Sequence, residues 1–273
     1  MKKAGVMGWP IGHSKSPALH GFWLREHGVD GSYIALAVQP ENLRAELHAL
    51  PERGFSGVNL TVPHKEAALA MVDSVDDVAR RIGATNCVLV NDGKLAATNT
   101  DAYGFITNLT TGAPNYRASK GPAVVLGAGG ASRAVCVALM DAGCPEIRLT
   151  NRNRARADAL AAALGKSVHV VAWDDRNDIL AEAALLVNTT SLGMQGQPPL
   201  QIDLAQLPAH AVVNDIVYAP LETALLQAAK LRGNAVVDGL GMLLYQAQPA
   251  FAAFFGKTPE VTPALRAHVM AQS

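Results

Sequence analysis

The sequence predicts an α/β fold of two domains, each built on its own sheet. Three observations carry that expectation. From the first residues, short apolar runs alternate with longer helical stretches, the pattern of largely parallel strands joined by helices. The alternation is broken by a polar segment bearing Gly and Pro, TTGAPNYRASKGP, at 110–122. Beyond that break, AVVLGAGGASRAVCVALMDAG opens a fresh strand–loop–helix unit.

In the first domain, strands are expected at Lys3–Met7, Ser32–Val38 and Gly57–Val62, and helices at Pro17–His27, Pro40–Leu50 and Pro63–Val72. TNCVLVNDGKLAATNTD then reads as a hairpin, with Asp92-Gly93 as its two-residue loop. That loop sets Asn91 against Lys94, and counting back sets Asn86 against Asn99. Side chains two apart share a face of a strand, so Asp101 follows Asn99 and joins Asn86 in a polar cluster. The second sheet continues with strands at Glu146–Thr150, Ala184–Asn188, Val212–Asp215 and Ala235–Asp238. A long apolar helix over Met242–Phe255 is expected to return to the first domain. The division is therefore 1–103 with 240–273 for one domain and 104–239 for the other.

Composition bounds the function classes. The chain has 273 residues, enough for two domains with a sizeable core. Lysine and arginine total 23, as do aspartate and glutamate, so no basic excess points to nucleic acid. No run of about 18 apolar residues reads as a membrane span, and Gly, Trp, Pro and His interrupt the opening MKKAGVMGWPIGHS where a secretory leader needs an apolar stretch. The three cysteines, Cys87, Cys136 and Cys144, lack metal spacing and suggest reduced thiols in the cytoplasm. The eight histidines are scattered, and no metal site is expected.

Four stretches carry chemistry. In VVLGAGGASRA, Gly127, Gly129 and Gly130 follow an apolar strand and open a helix, so free N–H groups face a phosphate; Ser132 stands where a third glycine is usual. An ordinary strand–turn–helix junction would look similar. The next strand, EIRLT, ends in NRNRAR without the carboxylate that holds a ribose 2′-hydroxyl. Arg152, Arg154 and Arg156 suit a 2′-phosphate, and NADP is the expected cofactor. In NLTVPHKEAALAMV, Lys65 falls in the first turn of the helix predicted from Pro63, the unfavourable end of the dipole for a cation. Such an amine is a candidate proton-exchange group, against the alternative of a surface lysine beside Glu66. Near the start, GWPIGHSKSPALHG sets Ser14 and Ser16 on one side of an extended segment before a helix, where Ser16 also reads as a simple N-cap. Asp101 reads equally as the cap of AYGFITNL.

Taken in order, GWPIGHSKSPALH, NLTVPHKEAAL, GATNCVLV, TNTDAYGF, VLGAGGASRA, NRNRAR, NDIVYAPLETALL and DGLGMLLYQAQPAF resemble shikimate dehydrogenases from Gly8 to Phe251. The resemblance implies an N-terminal substrate domain with a mixed, mostly parallel sheet, a C-terminal Rossmann-like NADP domain, and an active-site cleft between them that shuts during turnover. It implies reversible, NADP-dependent reduction of 3-dehydroshikimate to shikimate by a cytoplasmic enzyme, monomer or homodimer, with Lys65 and Asp101 as the catalytic pair. Ser14 and Ser16 would bind the substrate carboxylate. Thr61, Asn86 and Gln246 would bind ring hydroxyls, with Tyr218 on the substrate side. The cofactor would lie on Gly127, Ala128, Gly129, Gly130 and Ala131 at its phosphates, and on Asn151, Arg152, Asn153, Arg154 and Arg156 at the adenosine phosphate. Ile216, Gly239 and Met242 would lie near the nicotinamide, although Ile216 and Met242 read equally as core. Asp77 would approach the cofactor or be a solvated helix charge, and NTTSLGM at 188–194 would close over it. Asn153 stands where threonine is common, which leaves some dual cofactor use open. The rival readings are a quinate/shikimate dehydrogenase, a non-catalytic metabolite sensor, which would be expected to lack Lys65 or Asp101, and a folate-linked dehydrogenase, which the two-serine block disfavours.

Overall fold

In the computed structural model, which describes residues 1–271, the chain forms two compact units, Met1–Gly104 with Leu244–Ser273, and Phe105–Leu243. The last two residues of the expected 240–273 segment lie outside the described residues.

The first unit carries a six-stranded mixed sheet. Its strands are β1 (Lys2–Gly8), β2 (Gly31–Ala37), β3 (Phe55–Leu60), β4 (Ser74–Val75), β5 (Cys87–Asn91) and β6 (Lys94–Thr98), in the order β2-β1-β3-β5-β6-β4. β1 pairs in parallel with β2 and β3, and β5 runs antiparallel to β3 and β6. The hairpin register is Asn91 against Lys94 and Cys87 against Thr98, with Asp92 and Gly93 at positive φ as a tight hairpin turn requires. The helices are α1 (Ser16–Glu26), α2 (Leu43–His48), α3 (Asp77–Ile82) and α9 (Pro263–Met270). Two more, α4 (Asp101–Gly112) and α8 (Leu240–Phe255), contain the boundaries between the units. One cluster buries Met7, Leu47, Leu50, Val58, Leu60 and Val88. In another, Trp23 of α1 meets Phe251 of α8 edge-on, and its indole N–H donates to the Glu260 carbonyl at 3.0 Å.

The second unit is a six-stranded parallel sheet: β7 (Ala123–Leu126), β8 (Ile147–Thr150), β9 (Val168–Val171), β10 (Leu185–Asn188), β11 (Val212–Asp215) and β12 (Ala235–Val237). The order β12-β11-β10-β7-β8-β9 is the doubly wound arrangement, with its topological switch between β7 and β10. Strands β7, β8, β10 and β11 are buried almost throughout, as their apolar runs require in a sheet covered on both faces by helices. The unit's helices include α5 (Gly130–Asp141), α6 (Arg154–Leu164) and α7 (Ala224–Leu231).

Three expectations need correction. No α-helix begins at Pro63: residues 62–66 form turns before a short 3₁₀ helix at Ala67–Met71. Tertiary bonds take over the groups a helix would use. The Lys65 carbonyl accepts from Thr85 N at 2.8 Å, and the inward His64 ring bonds the Val38 carbonyl at 2.8 Å. The dipole argument for Lys65 therefore lapses. Pro40–Leu50 divides into a 3₁₀ turn at Pro40–Asn42 and the short α2. The polar segment at 110–122 starts later than its composition suggests, because α4 runs to Gly112.

Trp23 is fully buried. Trp23→Ala should destabilise the first unit by about 3–5 kcal/mol, transfer loss plus cavity, measured as the fall in its chemical denaturation midpoint against wild type.

Candidate active site

Parallel strands deliver their carboxyl ends to one edge of a sheet, and antiparallel partners deliver their starts to the same edge. At this edge of the first unit β1 runs out toward Ser14, β3 runs out toward Thr61 and Lys65, β5 begins just after Asn86, and β6 ends just before Asn99. The link across the edge is main-chain, with Leu60 N donating to the Asn86 carbonyl at 2.9 Å.

The centre is an ion pair. Lys65 Nζ donates to Asp101 Oδ2 at 2.5 Å, with side chains 17% and 6% exposed. An ionised carboxylate this buried needs partners on both oxygens. Asn86 Nδ2 supplies the second, donating to Asp101 Oδ1 at 2.8 Å. Asp101 is the first residue of α4; its carboxylate serves Lys65 and Asn86, and its N–H is held by Asn99 Oδ1 at 2.9 Å. The expected cluster of Asn86, Asn99 and Asp101 is thus formed by hydrogen bonds.

Asn86 is the hub. Its Nδ2 also reaches Thr100 Oγ1 at 2.9 Å and Gln246 Oε1 at 3.1 Å, and its Oδ1 accepts from Thr100 N at 2.8 Å. These bonds fix its amide orientation, so one N–H₂ faces a row of acceptors. Thr100 is a residue that sequence reasoning missed. It lies between Asn99 and Asp101, and the hairpin count that finds those two is the available signal.

Ser14 and Ser16 exchange roles relative to the capping alternative. Ser16 is already the first residue of α1, and the cap position, Lys15, makes no side-chain capping bond. Ser14 Oγ instead accepts from Ser16 N at 3.4 Å. Thr61, half-buried, follows the end of β3, its N–H donating to the Met7 carbonyl at 3.0 Å. Asp77 is an exposed first-turn residue of α3, whose cap is Asp76.

The second unit presents a separate constellation at the carboxyl ends of β7, β8, β10 and β11. Gly127 follows β7 with φ of +114°, and a Cβ there would lie 2.5 Å from Thr189 Oγ1. A Cβ on Gly129 would meet nothing within 4 Å, so the backbone there faces open space, the room a phosphate would need. Ser132, in place of the third glycine, accepts from Gly129 N at 3.1 Å and bonds Thr189 Oγ1 at 2.6 Å. It thereby ties the loop after β7 to the loop after β10 across the switch point. Ala128 is buried, while Gly130 and Ala131 in the first turn of α5 are partly exposed.

Beyond β8, Arg152, Asn153, Arg154 and Arg156 are all exposed around the start of α6. Asn153 is the cap, its Oδ1 accepting from Arg156 N at 3.3 Å, and Asn151 Nδ2 donates to the Asn153 carbonyl at 2.8 Å. Asn153 keeps its Nδ2 side for donation. Arg154 Nε pairs with Asp158 at 3.1 Å. No carboxylate stands at the end of β8, and the donor set fits a phosphate dianion.

At the end of β11, Asp215 is buried and accepts from Asn188 Nδ2 at 3.0 Å, Thr223 Oγ1 at 2.7 Å and Val217 N at 3.0 Å. Burial raises its carboxyl from 3.8 to about 6, against the opposing pull of those donors. Asn188 in turn accepts from Thr190. This carboxylate, which sequence reading passed over inside NDIVYAP, anchors both the 188–194 loop and the segment bearing Ile216 and Tyr218. Burial also raises the Tyr218 phenol. A Cβ on Gly239 would lie 2.1 Å from the Ile216 carbonyl oxygen, so only glycine permits this close approach. Met242 is buried.

Two family models match the chain: "Shikimate dehydrogenase substrate binding domain" over residues 6–88 and "Shikimate / quinate 5-dehydrogenase" over residues 113–195. A curated protein of Paramagnetospirillum magneticum, shikimate dehydrogenase (NADP(+)), is 59% identical over 98% of this chain and 97% of its own length. Shikimate 5-dehydrogenase from Thermus thermophilus, solved in complex with NADP(H) and shikimate, is 41% identical with a TM-score of 0.88 over 99% of each chain. Quinate dehydrogenase from Corynebacterium glutamicum, solved in complex with NAD, is 31% identical with a TM-score of 0.91, again over 99% of each chain.

The Asp215 carboxyl sets a pH dependence. Its folded value lies above its unfolded one, so the stability it contributes is full below 3.8 and is lost as pH rises through about 6. Denaturation midpoints of wild type and Asp215→Asn, compared across this window, should show wild type losing stability relative to the variant as pH rises. A constant difference would contradict the assignment.

Proposed function

This chain belongs to the shikimate dehydrogenase family, and on that premise we propose that it catalyses the reversible, NADP-dependent reduction of 3-dehydroshikimate to shikimate. The observation that carries this reading is the Lys65–Asp101 pair, held on Asn86 at one edge of the first unit's sheet. We assign substrate binding to that unit and the dinucleotide to the second.

Lys65 delivers the proton. In the reducing direction its ammonium gives a proton to the oxygen of the C3 carbonyl as negative charge grows there; in the oxidising direction the amine takes it back. Asp101 aims Lys65 and pairs with it while it is an ammonium; once the proton has moved, the carboxylate keeps the Asn86 amide as its partner. Positioned acid–base help of this kind contributes about 10²–10⁴-fold. Asn86, Thr61 and Gln246 hold the ring hydroxyls, Ser14 and Ser16 the carboxylate, and Tyr218 lies on the substrate side.

NADP, when bound, supplies or accepts the hydride. Residues Gly127 to Ala131 would hold its pyrophosphate and Asn151 to Arg156 its adenosine phosphate. Ile216, Gly239 and Met242 would lie at the nicotinamide, with Asp77 as a further approach. The open space at Gly129 and the arginines around the start of α6 support this fit.

We also place the protein in the cytoplasm as a monomer or homodimer. The free thiols of Cys87, Cys136 and Cys144 support the compartment. Among the described residues, no helix is long and apolar enough to cross a membrane. The quinate dehydrogenase neighbour favours one alternative, a dual quinate/shikimate enzyme. The presence of both Lys65 and Asp101 argues against a non-catalytic sensor.

The test is an assay of nicotinamide reduction with shikimate or quinate and with NADP or NAD. Shikimate with NADP should be the preferred pair, and preference for quinate with NAD would overturn the reading. Lys65→Ala should lose most turnover, about 10²-fold or more, while the shikimate KM changes less. Near-wild-type turnover would remove Lys65 from its role.

A further inference from the structure

A buried tyrosine lies outside the site described above, yet its hydrogen bonds lead into it. Tyr33 on β2 pairs with Ala4, and Asn59 on β3 pairs with Val6. Alternation places Tyr33 and Asn59 on the same face of the sheet, with β1 between them. The small Ala4 leaves room for a ring to lie across the intervening strand. Tyr33 Oη donates to Asn59 Oδ1 at 2.7 Å, and Asn59 Nδ2 donates to the Asn86 carbonyl at 3.0 Å. The direction of this chain is forced. The Asn86 carbonyl only accepts, so the Asn59 amide must turn its N–H₂ there and its oxygen toward Tyr33, which must then donate. The Asn86 carbonyl is thereby clamped by two donors, Asn59 Nδ2 and Leu60 N. That is the residue whose side chain supports Asp101, Thr100 and Gln246.

The other side of the ring is equally confined. His20 of α1 stacks on Tyr33, with centroids 3.8 Å apart and planes 1° from parallel. His20 is fully buried, and burial pushes its imidazole down to about 3, so the stack stays uncharged at working pH. Burial also raises the Tyr33 phenol well above its usual value, so it remains a donor, and the Ser16 hydroxyl reaches the same phenol.

We propose that Tyr33 is a positioning residue of the substrate site, acting through Asn59 to hold Asn86, with the His20 ring as its backstop. The proposal rests on the reading of the first unit as the substrate-binding part. It assigns Tyr33 no contact with substrate. Its effect is therefore on the geometry of the hydroxyl-binding amide and not on proton transfer.

Tyr33→Phe keeps the ring and its stack and removes only the donor. It should raise the shikimate KM about fivefold, the size of one ordinary hydrogen bond, with kcat and the KM for NADP unchanged. Asn59→Ala should raise the shikimate KM as well, and adding Tyr33→Phe to it should cause a smaller rise than Tyr33→Phe causes in wild type, since the link through Asn59 is already cut and only the contact with Ser16 remains. An unchanged shikimate KM, a parallel rise in both KM values, or independent multiplication of the two losses would overturn the proposal. A second readout needs no substrate. In unliganded protein carrying labelled asparagine, Tyr33→Phe should shift the side-chain amide resonances of Asn86, whereas Tyr103→Phe, at a residue 48% exposed, should not. If wild type fails to oxidise shikimate, the proposed function fails and this spectrum decides the positioning role alone. A shift specific to Tyr33→Phe sustains it, and unmoved Asn86 resonances end it.

Discussion

A carboxylate removed from water must be given hydrogen-bonding partners in place of the solvent it loses, and that requirement at Asp101 organises the first unit. Lys65 answers one oxygen and Asn86 the other. Each partner needs its own support. Lys65 sits on a turn whose carbonyl is held by Thr85, and Asn86 is bonded through both its main chain and its side chain. The mixed sheet makes this possible. Only because β5 runs antiparallel to β3 does Asn86 arrive at the edge where β1 and β3 end. Ion pairs of this burial are weak evidence for stability, because desolvation offsets much of their attraction. A pair kept at a sheet edge, with the amine partly open to solvent, is better explained by what the amine can do.

The second unit meets a different constraint, the close approach of loop to loop at the carboxyl ends of its strands. Gly127 and Gly239 stand where a side chain would collide, with Thr189 and the Ile216 carbonyl respectively. The loops are then tied by short polar contacts, Ser132 to Thr189 on one side of the switch and Asp215 to Asn188 and Thr223 on the other. The arginines around the start of α6 remain exposed.

Much of this was legible in the chain itself, for physical reasons. The Asp92-Gly93 turn admits few registers, so counting from it correctly brought Asn86, Asn99 and Asp101 together. Short apolar runs alternating with helical stretches marked the buried parallel strands of the second unit. Local rules failed where distant groups compete for the backbone. Pro63 opens no helix, because Thr85 and Val38, far along the chain, bond Lys65 and His64. Ser16 has the sequence of a cap and instead lies inside the helix that Ser14 steadies. Tyr33 and Asn59 carry no motif at all. Their link depends on β1 lying between β2 and β3, an order no local pattern encodes.

The central claim is that Lys65 and Asp101 act as one unit, the amine moving the proton and the carboxylate aiming it. A double-mutant cycle on kcat with shikimate and NADP tests this most directly, using Lys65→Met, Asp101→Asn and the two together. If the residues work as a unit, the double variant should be no slower than the worse single one. Losses that multiply would show two independent contributions and contradict the account.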